Sequence, residues 1–125
     1  MHIEHINISA PMELLGRLKL FYCELFDLNV GFRPAFRRRG FWLYSGSNPI
    51  IHLTESSEHY QHEKQGYLDH IAFQSEGLNE LLVKLQCKNV PYSIDSLPEI
   101  GMTQVFFSDP SGLGLEVNFL NETAL

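Results

Sequence analysis

Three histidines and one glutamate recur in this chain at matched positions. His5 lies in Ile3-Glu4-His5-Ile6-Asn7-Ile8, and His70 lies in Leu68-Asp69-His70-Ile71-Ala72-Phe73, 65 residues further on. His52, in Ile51-His52-Leu53, matches Glu116, in Leu115-Glu116-Val117, at a shift of 64. Imidazole nitrogen and carboxylate oxygen are donors for divalent transition metals. Three imidazoles with one carboxylate suit Zn, Ni, Co, Mn and Fe alike. A duplicated unit with one donor near its start and another at its end can surround one ion with four side chains. The first expectation is a metal-dependent enzyme with His5, His52, His70 and Glu116 as ligands.

Such a site needs elements that hold the donors, and both halves present them in the same order. Residues 2–9 alternate as a half-buried strand does, with Ile6 and Ile8 opposite His5 and Asn7. Pro11 opens a helix whose stripe is Leu14, Leu15, Leu18, Phe21, Tyr22, Leu25 and Phe26, and Asn29 and Gly31 mark its end. Strands follow at about 30–34, 40–45 and 49–55, with an Arg-rich connection and then a Ser45-Gly46-Ser47-Asn48 turn. Residues 56–66 are polar and aperiodic, and read as a linker. The second half repeats the order, with a strand at about 67–74 and a helix at about 77–88 carrying Leu78, Leu81, Leu82 and Leu85. Strands near 91–96, 102–108 and 113–120 complete it, the last two joined by the turn Asp109-Pro110-Ser111-Gly112. The expectation is one α+β domain over 1–125, with βαβββ repeats at 1–55 and 67–125.

Strand parity brings the donors to one side. His5 faces away from Ile6 and Ile8, and His70 away from Ile71 and Phe73. His52 opposes Ile51 and Leu53, while Glu116 opposes Leu115, Val117 and Phe119. Side chains alternate across a sheet. With one helix packed outside each repeat, all four polar groups project from the other face. A curved mixed sheet would then wrap a metal-binding cavity. His2, His59 and His62 lack this matching and read as exposed residues.

The bulk properties exclude several classes. At 125 residues, 44% of them hydrophobic, the chain is long enough and apolar enough for a globular core. No apolar run reaches the length of a bilayer span and no secretion signal is legible, so no membrane partner and a cytoplasmic location are expected. A formal charge of −6 argues against a nucleic-acid partner. Arg33, Arg37, Arg38 and Arg39 form a local exception that could attract an anionic substrate, although such a cluster at a hairpin is usually just solvated. Cys23 and Cys87 fall in helices of different repeats, which suggests buried structural thiols and no disulfide.

The duplicated βαβββ order with these four positions resembles the vicinal oxygen chelate superfamily, which includes glyoxalase I, methylmalonyl-CoA epimerase, extradiol dioxygenases, and fosfomycin and bleomycin resistance proteins. The likeness covers essentially the whole chain. It is most specific at Phe41-Trp42-Leu43-Tyr44, Ile51-His52-Leu53, Asp69-His70-Ile71-Ala72-Phe73 and Phe107-Ser108-Asp109-Pro110-Ser111-Gly112. Within the superfamily the chain is most similar to short glyoxalase-like bacterial proteins.

The resemblance implies that His5, His52, His70 and Glu116 sit on the ligand-bearing strands, with His52 departing from the glutamate or glutamine common there. It implies a lyase or isomerase whose small substrate chelates the metal through neighbouring oxygens, with Glu116 as ligand and catalytic base. It also leaves open an iron(II) extradiol-type dioxygenase using His5, His70 and Glu116, or a bleomycin-resistance-like binding protein. Substrate-lining residues would come from strands near Trp42, Tyr44, Gln104 and Phe106. A homodimer is implied, with sites often built from both chains.

Overall fold

In each half of the chain an apolar strand face is sealed by a leucine-rich helix. The computed structural model describes residues 1–125. It divides into two compact units, Met1–Glu63 and Lys64–Leu125. The first contains β1 (Ile6–Ala10), α1 (Met12–Phe26), β2 (Asn29–Gly31), β3 (Gly40–Ser45) and β4 (Asn48–Glu55). The second contains β5 (His70–Ser75), α2 (Leu78–Cys87), β6 (Ser93–Leu97), a short 3-10 turn (Pro98–Ile100), β7 (Met102–Ser108) and β8 (Gly114–Leu120). Each unit makes its own four-stranded mixed sheet, in the orders β1-β4-β3-β2 and β5-β8-β7-β6. In both, the first strand runs parallel to the last, and the remaining pairs are antiparallel.

The helices form where the apolar spacing placed them. Leu14, Leu15, Leu18, Phe21, Tyr22 and Leu25 are the buried face of α1, and Leu43, Ile51 and Leu53 of β3 and β4 are buried with them. Leu78, Leu81, Leu82 and Leu85 are the buried face of α2, alongside Val105, Phe107, Leu115, Val117 and Phe119 of β7 and β8. Each such side chain contributes roughly 1.5–3 kcal/mol by leaving water. No helix is long and apolar enough to cross a membrane.

Several boundaries differ from the sequence reading. Helix α1 ends at Phe26, before Asn29 and Gly31, because Asp27 takes a left-handed conformation with φ of 54°. Strand β2 stops at Gly31, since Pro34 offers no N–H to a ladder, and residues 32–39 form a loop. The Tyr44 hydroxyl donates to Phe32 O and holds the base of that loop. Strands β1 and β5 start later than expected, at Ile6 and His70. Residues 56–63 are bonded into the first unit: Ser56 N donates to Ala10 O, and Gln61 Nε2 donates to Glu13. The expectation of a buried thiol fails for Cys87, which is exposed two residues past Leu85 and off the buried stripe; Cys23 is half-buried.

Two tertiary contacts had no sequence signal. Glu122, beyond the last strand, accepts hydrogen bonds from Gly77 N at 3.1 Å and Leu78 N at 2.9 Å. It thereby caps the N-terminus of α2, where free N–H groups favour a carboxylate. Gly40 starts β3 so close to β4 that a Cβ there would lie 1.9 Å from Leu53 O.

That approach leaves no flexible side chain to move aside. Gly40→Ala is expected to destabilise the protein by about 3 kcal/mol, the upper end of the usual cost of overpacking. Urea unfolding checks it, and an unchanged midpoint would contradict the close approach.

Candidate functional site

On β3 and β4 the inward residues are Leu43, Ile51 and Leu53, so Trp42 and His52 occupy the opposite face. Trp42 pairs directly with His52 across the two strands, and their rings stack with centroids 4.1 Å apart and planes 14° apart. His5, just before β1, stacks on the other side of His52 at 3.7 Å and 9°. The first unit therefore carries a column of three parallel rings. Its outer member, His5, has Nδ1 2.9 Å from Glu4 Oε1. The middle ring uses Nε2, which donates to Pro49 O at 3.1 Å. Burial, and then the neighbouring His5, push the His52 pKa down and favour a neutral imidazole.

The second unit repeats the parity with different chemistry. Leu115, Val117 and Phe119 point into the core, which turns Glu116 and Asn118 to the other face of β8. Glu116 Oε2 accepts from Gln104 Nε2 at 3.0 Å and from Asn118 Nδ2 at 2.7 Å. Its other oxygen, Oε1, faces His70 Nε2 at 3.6 Å. His70 Nδ1 in turn lies 2.9 Å from Asp69 Oδ2, and that bond is the main reason its pKa is raised. Gly114 stands opposite His70 in the ladder, and a Cβ at that position would lie 2.7 Å from Asp69 O. The half-exposed imidazole (49%) thus meets a carboxylate that is mostly buried (13%).

The four expected ligands are therefore placed as two pairs, His5 with His52 and His70 with Glu116. Neither unit assembles three His, Cys, Asp or Glu side chains into a metal-binding group. Sequence reasoning assigned no role to Glu4, Asp69 or Asn118. A signal for the first two was present, because an acidic residue precedes the matched histidine in both repeats. Of the other histidines, His2 and His62 are exposed, and His59 Nδ1 pairs with Glu63 at 3.1 Å.

The donor chemistry fits a divalent transition ion. His5 and His70 each engage Nδ1 with the preceding carboxylate, which orients a ligating ring and leaves Nε2 as the donor. Glu116 has one oxygen held by two amides and the other free. Two atoms bound to one ion at about 2.1 Å lie about 3–3.4 Å apart. The 3.6 Å between His70 Nε2 and Glu116 Oε1 is near that spacing and too long for a hydrogen bond. His52 fits less simply, since Nδ1 is its only remaining donor. Imidazole lone pairs lie in the ring plane, and planes 9° apart with centroids 3.7 Å apart do not meet within bonding distance. His5 and His52 would share an ion only if one ring turned.

The chain matches no protein-family model and no curated protein by sequence. Its fold matches solved structures closely. A glyoxalase family protein from Bacillus anthracis is similar at a TM-score of 0.73 and 21% identity, over 96% of this chain and 95% of that one. A glyoxylase/bleomycin resistance protein/dioxygenase domain from Frankia sp. EAN1pec is similar at 0.78 and 18%, over 99% and 95%. The fosfomycin resistance protein FosX from Listeria monocytogenes, solved with Mn(II) and 1S,2S-dihydroxypropylphosphonic acid, is similar at 0.73 and 14%, over 95% and 92%. The chain has the vicinal oxygen chelate fold.

The two imidazole environments differ measurably in metal-free protein. An NMR titration is expected to place His70 above, and His52 below, the ordinary histidine value of about 6.5. The raised His70 pKa adds stability that is present below the unfolded value and lost as pH rises through the folded one. The lowered His52 pKa acts oppositely, with stability lost as pH falls through its folded value. Asp69→Asn should return His70 toward 6.5, about the ordinary value; a reversed order of the two histidines would contradict these environments.

Proposed function

We propose that the protein is a metal-dependent enzyme of the glyoxalase type, a lyase or isomerase acting on a small substrate with two neighbouring oxygens. The observation that carries this reading is the His70–Glu116 pair, whose Nε2 and Oε1 stand free and adjacent while Nδ1 and Oε2 are held by Asp69, Gln104 and Asn118. In this reading His5, His70 and Glu116 would hold the divalent ion, and His52 would join them through Nδ1, the nitrogen that its bond to Pro49 O leaves open. A bound ion would supply Lewis-acid polarisation of the substrate oxygens. The chain's own contribution is orientation and proton transfer. Glu4 and Asp69 fix the two rings; Gln104 and Asn118 fix Oε2, so Oε1 would serve as the ligand until a chelating substrate displaces it, and then as the base that takes a proton from the carbon beside the substrate oxygens and returns it to a neighbouring atom.

A second reading has one observation in its favour. Because His52 Nε2 is engaged by Pro49 O, the freely presented donors are two histidines and one carboxylate, the set of non-haem iron(II) oxygenases. Oxygen consumption with a catechol would select this dioxygenase. Isomerisation of a glutathione or coenzyme A adduct, unchanged when oxygen is excluded, would select the lyase or isomerase.

We also propose a homodimer in which each centre takes donors from both chains. Each unit supplies only a pair, and β1 and β5 are edge strands of their sheets. A cytoplasmic location fits two free thiols.

Metal analysis of protein purified without a histidine tag tests the centre. His5→Ala, His70→Ala and Glu116→Gln should each lose the ion, and Asn118→Leu should weaken its affinity by about 10–100-fold. A metal-free wild type would end the enzymatic reading. Mixing His5→Ala with His70→Ala subunits tests the sharing: mixed dimers should regain metal, and no recovery on mixing would place each centre within one chain.

A further inference from the structure

The first unit contains a pocket that runs from His52 to the arginine-rich loop, beyond the expected metal ligands. It is an open cleft of about 400 Å³ lined by Arg33, Phe36, Arg37, Arg38, Trp42, His52 and Thr54. One wall is the free side of the ring column, where Phe36 stands 6.0 Å from Trp42, tilted by 41°. The other is the loop between β2 and β3. That loop is a built structure: Tyr44 holds its base at Phe32 O, Phe36 N donates to Pro34 O at 2.9 Å, and Arg33 Nη2 donates to Arg38 O at 3.1 Å.

Its charge is what calls for a ligand. The chain carries a net charge of −6 and only nine basic side chains apart from histidine, four of them within residues 33–39. Arg39 is neutralised by Glu55 through two bonds of 2.9 Å and 2.7 Å. Arg33, Arg37 and Arg38, the three that line the pocket, form no ion pair within the protein. Arg33 packs its guanidinium 4.8 Å over the Phe36 ring, and its Nε is buried without a hydrogen-bond partner.

We propose that this pocket binds the substrate, a small organic anion whose flat apolar body lies against Trp42 and Phe36 and whose carboxylate or phosphoryl group is held by Arg33, Arg37 and Arg38. Planar forks of N–H donors match such groups with two bonds at once. Guanidinium groups that also rest on aromatic faces suit a ligand with an aromatic or conjugated body. Held this way, the far end of the molecule is presented beside His52, the ring stacked on His5. The inference rests on the metal-enzyme reading for what happens to the bound molecule; the binding itself needs only the pocket.

Trp42 is the only tryptophan in the chain, so its fluorescence reports on this pocket alone. The probes are benzoate and phenyl phosphate, with inorganic phosphate and benzyl alcohol as controls for the missing body and the missing charge. We expect a saturable change of emission with at least one of the two aromatic anions, in metal-free and in cobalt-loaded protein, the tighter one identifying the head group. Raising salt from about 50 mM to about 500 mM should weaken it. The double variant Arg37→Gln/Arg38→Gln, at two exposed loop positions, should bind at least about tenfold more weakly with an unchanged circular dichroism spectrum.

No response to either aromatic anion, an equal affinity for benzyl alcohol or for inorganic phosphate, or an undiminished affinity in the double variant would overturn the proposal. Cobalt uptake measured on the same samples separates the two ideas. Uptake without anion binding refutes the pocket alone, and anion binding without uptake refutes the metal centre alone.

Discussion

Alternation along the paired strands β3–β4 and β7–β8 is the constraint from which the remaining features follow. A leucine-rich helix covers one face of each sheet, so any residue that must stay polar is forced to the other face. Ile51 and Leu53 cannot be buried without turning His52 out, and Leu115 and Val117 cannot be buried without turning Glu116 out. Register then decides the neighbours. Pairing Trp42 with His52 sets up ring stacking, whereas pairing Gln104 with Asn118 sets two amides around one carboxylate. A slip of one residue in either hairpin would bury the polar set and expose the apolar one.

The two units solve the same problem with different chemistry. In the first, the middle ring is held by aromatic neighbours on both faces and a backbone carbonyl at its edge. In the second, the carboxylate is held by amide donors at one oxygen only. An aromatic column is weakly polar; an amide-clamped carboxylate keeps one oxygen available. This asymmetry separates His52, whose Nε2 is already engaged, from Glu116, whose Oε1 is not.

Much of this was legible in the sequence because the signals were local or periodic. Order of elements, both helix stripes, strand parity and the Asp109 turn followed from spacing and turn chemistry. In the structure Asp109 Oδ1 accepts from Ser111 N, Ser111 Oγ and Leu113 N, as an Asp at a turn should. Parity also placed His52 and Glu116 on the face away from the buried residues, since it needs only alternation. Contacts set by distant register were not legible. The Glu122 cap joins residues 45 apart in sequence, and nothing in the composition of the tail announces it. The stacking of His5 on His52 depends on how β1 lies beside β4 and on ring rotamers, neither of which a pattern of residue types encodes. The short β2 departs from the sequence pattern because Val30 and Phe32 continue an alternation that the backbone abandons at Gly31.

The acidic residue before each matched histidine has a further consequence. Most sites orient a ring with a partner supplied by some remote segment, and both must then drift together or not at all. Here Glu4 is adjacent to His5 and Asp69 to His70, so ring and orienting carboxylate travel as one dipeptide. Both halves thus carry the orienting group together with the ring, whatever surrounds them. The opposite positions have no such built-in tether, and there one half presents an imidazole and the other a carboxylate.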